Sequence, residues 1–350
     1  MLAAVYTGSA RVEIQTVETP EIGPSEVLIR VESCGICHTD LKKIQYDLLA
    51  PPRIYGHETA GVVVAVGETV GKYVPGDRVI VFHHIPCQDC FYCQRRLYAQ
   101  CASYKRVGVT AGFEAAGGGF SQYVRVMDWI VERGMEKIPE GVSFDQACWV
   151  EPVNTCLKAI EQLALFEGDV VAVLGQGPIG LVFTMLAKRT GATVFATDTI
   201  GFRRQISARF GASAHDPRDA DFEQAIRAAT QGRAADAVIV ATNVRGLVDQ
   251  AIRVSRPGAK ICLFAQTSAA ERIDISGADI CVGERILFGS YSADTDLQTE
   301  SARLVFSGEL PLETLISDRI PLSEITRGIE TALHPSERSL KVVVHPQEPS

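Results

Sequence analysis

The chain has 350 residues, with 34 Lys and Arg against 42 Asp and Glu for a net charge of −8, and it is 46% hydrophobic and 22% charged. At roughly 100 to 200 residues per domain this length predicts about two domains with cores of their own, and the composition excludes disulfide-stapled mini-folds and disordered or collagenous chains. An acidic chain repels phosphate polymers, so no nucleic-acid partner is expected; the ten cysteines are the one informative oddity.

The start, MLAAVYTGSARVEI, lacks a basic segment followed by a long apolar stretch. No secretory signal is expected, and the default location is cytoplasmic. From Leu2 to about Ala147, short alternating apolar runs such as Val27 to Val31 and Ala60 to Val66 are separated by Gly, Pro and Asp turns. That pattern reads as mainly β. Within it stand Cys37 in CGICHTD and His57 and Glu58 in GHE, with Glu151 following in WVEP. Singly, these read as a small core residue, a loop histidine and exposed charges. Together they supply the mixed thiolate, imidazole and carboxylate set of a catalytic zinc, which needs about three protein ligands and one exchangeable position.

Cys87, Cys90, Cys93 and Cys101 form C-x2-C-x2-C-x7-C in a loop-like segment. Four thiolates so spaced fit a tetrahedral zinc site closed to solvent, which would stiffen the loop and carry no chemistry. Two disulfides, disfavoured in a chain without a signal, and an iron–sulfur cluster are the competing readings. Cys34, Cys148, Cys156, Cys262 and Cys281 read as small buried residues. Trp149 reads as pocket or core.

After about Pro152 the period changes. Strand-like runs at Val170 to Leu174, Thr193 to Thr197, Ala237 to Ala241, Lys260 to Ala265 and Arg285 to Ser290 alternate with helical stretches. Such alternation predicts a parallel sheet covered on both faces. Thr299 to Phe306 and Leu322 to Leu333 then look helical, and Leu340 to His345 looks like a final strand. The segment Val170 to Ala187 is mostly apolar over nearly a membrane span, but Gln176, Pro178 and three glycines break it, so strand-turn-helix is the expectation and no membrane partner is assigned.

Gly175, Gln176, Gly177, Pro178, Ile179 and Gly180 spell GxGxxG directly after the run ending at Leu174. The first glycine permits the turn, the second admits a pyrophosphate to the backbone, and the third lets the helix pack on the strand. Asp198, ending the next strand 23 residues beyond Gly175, is placed to accept hydrogen bonds from adenosine ribose hydroxyls. A carboxylate there repels a 2′-phosphate, so NAD is expected over NADP. Arg203 and Arg204 lie close enough in sequence to weaken that inference, and their plainer reading is a solvated face at the start of a helix.

In order and spacing, CGICHTD, GHE, the four-cysteine loop and GQGPIG resemble the zinc-dependent medium-chain dehydrogenases of the alcohol dehydrogenase superfamily, and the resemblance runs from end to end. It implies an α/β chain with a GroES-like, mainly β catalytic domain over 1–152 and 291–350 and a Rossmann NAD-binding domain over 153–290. It also implies one catalytic and one structural zinc, an active site in the cleft, and a homodimer or homotetramer. Cys37 and His57 become zinc ligands, and Glu151 stands where dehydrogenases of simple alcohols usually have a second cysteine, as in the polyol, sorbitol and threonine dehydrogenase branch. Glu58 is there sometimes a direct ligand and sometimes behind one. Asp40 matches the carboxylate that orients the histidine ligand.

Thr39 matches the hydroxyl that contacts the substrate oxygen and passes its proton outward through the nicotinamide ribose. Many members finish that relay with a histidine five residues after the ligand cysteine; here the residue is Lys42, which leaves Lys42, His38 or a water chain as the exit. His83 and His84 fall on the implied substrate-pocket wall, where paired polar rings suit a hydroxyl-rich substrate, although one of them could simply hydrogen-bond a loop. The implied reaction is reversible oxidation of a secondary alcohol to a ketone, zinc acting as Lewis acid and NAD taking the hydride. Polyols are favoured, with simple secondary alcohols or threonine-type amino-alcohols as alternatives. Readings from other classes are a zinc-free quinone-reductase-like enzyme, which would not need Cys37, His57 and Glu151 together, a zinc-ribbon nucleic-acid binder, and a nucleotide-binding sensor or structural protein.

Overall fold

The structure, a computed structural model, describes residues 1–113, 115–219, 221–265 and 272–348. They form two compact units, Met1–Pro152 with Ala293–Ser350, and Val153–Ser292.

In the first unit the strand Val27–Gly35 buries Val27, Ile29 and Val31 while Leu28, Arg30 and Glu32 stay partly open. This is the period of two expected of a half-buried strand. Its last three residues, Ser33, Cys34 and Gly35, are buried in succession, where the strand is flanked by Glu58–Val66 on one side and the C-terminal strand Lys341–His345 on the other. The main sheet continues through Arg78–Val81 and Met135–Lys137, and Ile316–Pro321 lies beyond Lys341–His345. Most of its pairings are antiparallel; the pair of Ile316–Pro321 with Lys341–His345 is parallel. Leu2–Gly8 and Arg11–Thr16 make a separate hairpin.

Among the described residues the mainly β reading of Leu2 to about Ala147 omits three α-helices, His38–Gln45, Asp128–Arg133 and Phe144–Ala147, and a further helix, Val150–Leu163, follows. The last carries Pro152 in its first turn, where a missing N–H has no intrahelical partner to lose.

The second unit is a six-stranded parallel sheet. Its order is Ser213–His215, Thr193–Thr197, Val170–Leu174, Ala235–Val240, Ser255–Leu263, Ile286–Gly289. This is the doubly wound order of a Rossmann fold. Val170–Leu174 is buried at all five positions, as a strand covered on both faces must be. Ser255–Leu263 starts five residues before the expected run, through Arg256, Pro257 and Gly258, whose turn character masks it; the register shifts between Ala235 and Ala237 where they are accommodated. The apolar stretch after Val170 resolves into this strand and the helix Pro178–Arg189. Among the described residues no helix is long and apolar enough to cross a membrane. Cys281 corrects the reading of the spare cysteines: it is exposed, at the end of the short helix Gly277–Cys281, which buries nothing, whereas Cys34, Cys148, Cys156 and Cys262 are buried.

The tail is locked onto the first unit by charge. Asp145 receives Ser33 Oγ at 2.7 Å, sits 2.7 Å from His345 Nε2 and pairs with Arg319. Burial raises the Asp145 pKa, but the His345, Ser33 and Arg319 hydrogen bonds outweigh it and bring the carboxyl to about 2. The same bond to Asp145 raises the pKa of His345 against the effect of burial. A raised folded-state pKa stabilises fully below the unfolded value near 6.5 and is lost as pH climbs through the folded value. His345→Gln should therefore cost about 1 kcal/mol at pH 5.5 and little at pH 9. Denaturant titrations at the two pH values check this; an equal loss at both would remove the ion pair from the account.

Candidate functional site

The first constellation is assembled by a turn, a helix start and a strand end. Gly56 has φ +94, and a Cβ there would lie 2.7 Å from the Phe120 ring and 2.9 Å from Cys34 Sγ. Only glycine fits, and it turns the chain so that His57 enters Glu58–Val66 at 5% exposure. Cys37 caps His38–Gln45, and that helix's first turn presents Asp40, fully buried, 2.9 Å from His57 Nδ1. With Nδ1 so engaged, Nε2 is the nitrogen left to bind a cation. Burial alone would lower the His57 pKa, but the charges of Asp40 and Cys37 hold it well above its ordinary value. A field that favours a proton on that ring favours a metal ion beside it.

The expected ligands fall into two groups that share His57. Cys37, His57 and Glu58 place donor atoms within 4.8 Å of one another, and so do His57, His83 and Glu151. Glu58, 1% exposed, is paired with Lys341, 5% exposed, whose Nζ also donates to the Ile36 carbonyl at 3.1 Å and lies 5.4 Å from the centre of the buried Trp149 ring. Burial would lower the lysine, but Glu58 and Cys37 hold its pKa up at about 12. Glu151 occupies the first turn of Val150–Leu163; burial raises its carboxyl to about 7, with His57 acting the other way. Trp149 is core.

His83 and His84 continue from this centre as a file of rings. Ring centroids are 4.6 Å apart for His57 and His83, 4.0 Å for His83 and His84, and 5.0 Å for His84 and Tyr104. Burial, and then neighbouring positive charge, keeps both pKa values far below ordinary, His84 at about 3, so both rings are neutral. His84 also meets the Arg106 backbone, which is the loop-bonding role expected of one of the pair. Thr39 is partly buried, while His38 is exposed one turn from Lys42 on the same helix.

The four loop cysteines converge. Sγ atoms are 3.5 Å apart for Cys90 and Cys93, 3.6 Å for Cys87 and Cys101, and 3.9 Å for Cys87 and Cys93. A tetrahedron with metal–sulfur bonds of about 2.3 Å has edges of about 3.8 Å, whereas a disulfide would need about 2.05 Å. These separations suit a shared ion and exclude disulfides. Although burial acts against it, N–H groups of Cys87 and Tyr104 lower Cys101 to about 6. The cluster is not closed to solvent as expected: Cys87 is exposed and Cys90 half-buried, because the loop lies at the surface.

In the second unit, Gly175 has φ +97 and a Cβ there would strike Thr242; one on Gly180 would lie 1.9 Å from the Gly175 carbonyl oxygen. A Cβ on Gly177 would meet nothing nearer than Arg203 Nη1 at 3.8 Å, which leaves an open cradle at the residue expected to face a pyrophosphate. Pro178 and Ile179 are partly exposed beside it. Gln176 turns its side chain inward, donating to the Gly175 carbonyl at 2.9 Å and accepting from Thr184 at 2.8 Å, so only its backbone lines the loop. Asp198 accepts from Gln176 N–H and Ile200 N–H, each at 2.8 Å. Arg203 and Arg204 are not the solvated face expected: their side chains are 14% and 24% exposed, Arg203 3.9 Å from Asp198 and Arg204 2.9 Å from Asp216.

Sequence reasoning missed Lys341 as the partner of Glu58 and Gly35 as the floor beneath them, where a Cβ would lie 2.7 Å from the Lys341 side chain. Neither has a local signal. LKVVVH reads as an ordinary strand, and only its antiparallel pairing beside Gly35 brings the ammonium inward.

Comparison with known proteins agrees with this arrangement. Residues 23–138 match the family model of the alcohol dehydrogenase GroES-like domain, and residues 178–307 match that of the zinc-binding dehydrogenases. The chain is 28% identical over 354 residues to sorbitol dehydrogenase of Bacillus subtilis (strain 168), covering 99% of this chain and 97% of the relative. It is 30% identical over 361 residues to (R,R)-butanediol dehydrogenase of the same organism, covering 99% and 100%. A solved structure of a putative zinc-binding dehydrogenase from Sinorhizobium meliloti 1021, bound to NADP, superposes with a TM-score of 0.88 at 29% identity, with 99% of each chain covered.

Two outcomes follow from the geometry. Lys341→Met strands a buried carboxylate and should destabilise the protein by about 3–5 kcal/mol, while the double variant with Glu58→Met should recover most of it; a double-mutant cycle by chemical denaturation reads the coupling. Cys101→Ser should lower bound metal by close to one equivalent per chain and reduce Tm, measured by metal analysis and calorimetry on one preparation.

Proposed function

The chain belongs to the zinc-dependent medium-chain dehydrogenases of the alcohol dehydrogenase superfamily, and from that premise we propose that it oxidises secondary alcohols carrying a neighbouring hydroxyl, reversibly, with NAD and zinc. The observation that carries this reading is His57, its Nδ1 held by buried Asp40 and its ring shared between a thiolate group and a carboxylate group. When bound, a zinc ion there supplies Lewis acidity toward the alcohol oxygen, and the nicotinamide accepts the hydride.

The protein's part is orientation and proton handling. Cys37, His57 and Glu151 are the proposed ligands, because Glu58 is held in a direct pair with Lys341, whereas at Glu151 burial outweighs the charges of His57 and Lys341. Asp40 fixes the tautomer of His57. Thr39, two residues beyond Cys37, holds the alcohol hydroxyl and receives its proton. His38 and Lys42 offer the exit to water: His38 is exposed, and the protein around it and the Lys42 charge lower its pKa, so near neutrality it is a free base able to accept. The neutral rings of His83 and His84 favour hydroxyl-rich substrates, in keeping with relatives named for sorbitol and butanediol. The loop cysteines hold a structural zinc.

NAD is the preferred cofactor. The Asp198 carboxylate is held by two backbone N–H groups at the end of its strand, where it repels a 2′-phosphate; the adjacent Arg203 and the NADP in the Sinorhizobium meliloti structure favour the opposite preference. The open edge strand Ile286–Gly289, with Val282, Ile286 and Tyr291 exposed near it in sequence, supports assembly into a homo-oligomer. A cytoplasmic location is part of this proposal.

The test is a dehydrogenase screen over polyols, sugars, amino-alcohols and simple secondary alcohols, with NAD and NADP in parallel, before and after chelation. Vicinal diols or polyols should turn over with NAD, and chelation should abolish turnover. Thr39→Val should lower kcat by about 10²–10⁴-fold with NAD affinity unchanged. Higher kcat/KM with NADP would overturn the cofactor assignment, and turnover undiminished by metal removal would overturn the mechanism.

A further inference from the structure

The family reading places His83 on the substrate-pocket wall, and the structure gives that side chain three features that belong together. It is 8% exposed, and among the described residues its Nδ1 has no hydrogen-bond partner. Leaving a buried polar atom unmatched costs about 1–3 kcal/mol unless something absent from the protein chain satisfies it. Its ring lies 4.6 Å from that of His57, and it offers a donor within 4.8 Å of those of His57 and Glu151. A solvated wall residue would meet none of these conditions.

We infer that His83 is a protein donor to the metal held by Cys37, His57 and Glu151, filling in the ligand-free enzyme the coordination position that substrate otherwise claims. The inference rests on the functional reading above and deepens it. Lys341 removes Glu58 from competition by pairing with it, which leaves a thiolate in one donor group and a second imidazole and a carboxylate in the other, with His57 common to both. That mixed S, N and O set of four suits zinc. A substrate then has to displace an imidazole rather than a water molecule, and a ligand with two adjacent oxygens does so more readily than one with a single hydroxyl. His84 is the internal control: it is the next ring in the file, but it belongs to neither donor group.

The experiment replaces the metal with Co²⁺ in the full-length chain and compares wild type with His83→Phe and His84→Phe. His83→Phe should change the visible d–d bands of the ligand-free protein, and should speed loss of one equivalent of metal to a chelator by about 10–100-fold. His84→Phe should do neither. Saturating butane-2,3-diol should bring the wild-type and His83→Phe spectra together, because the imidazole is then displaced. His83→Gly with free imidazole should recover the wild-type spectrum, which separates ligand loss from misfolding. Identical ligand-free spectra and metal-loss rates in wild type and His83→Phe would overturn the inference and leave the dehydrogenase reading standing. A wild type that holds the metal through His83 yet oxidises no alcohol would overturn the functional reading alone.

Discussion

Buried charge is the constraint around which the first unit is built. Asp40, His57, Glu58 and Lys341 are each at most 5% exposed, and ions so placed lose several kcal/mol of hydration apiece. They persist because each acid has its base: Asp40 with His57, and Glu58 with Lys341. These partners come from four places in the chain: a helix start, a turn, the strand beginning at Glu58 and a strand that forms only near the C-terminus. The pairing explains why the last residues return to the sheet begun by the first. Without Lys341 the carboxylate of Glu58 would be stranded, and Gly35 leaves the room in which that pair packs.

The same pairing distributes the metal-binding duties. A carboxylate already paired directly with an ammonium gains less from a cation than one that is not, so Glu151 rather than Glu58 is the proposed ligand. The loop cysteines answer a different problem, since a surface segment with little core of its own would gain rigidity from the proposed ion among four sulfurs. In the second unit no ion is required. Backbone geometry does the work: Gly175 and Gly180 admit no side chain, and Asp198 is steadied by two backbone N–H groups, with Arg203 beside it.

Much of this was legible in order along the chain. Val170–Leu174 and Thr193–Thr197 have the limits read from the sequence, because their interiors are continuously apolar and buried. The four cysteines and the glycine motif were legible because all their parts lie within one loop or one turn. The reading was weaker wherever a local signal had two meanings. Lys260 to Ala265 was read as the run of a strand that begins at Ser255; Cys281 looked buried and is exposed; Arg203 and Arg204 looked solvated and are packed beside acids.

The sequence by itself determined the two-part architecture, the cysteine loop, the dinucleotide motif and the identity of the side chains gathered at the first site, because each of these is written in spacing or residue type. Only the tertiary structure decided which of them meet. It put Lys341 on Glu58, Asp40 on His57 and His83 beside both His57 and Glu151, contacts that join residues from 17 to 283 positions apart. Strand register and burial set such contacts, and a side chain's neighbours across a sheet leave no trace in the residues on either side of it along the chain.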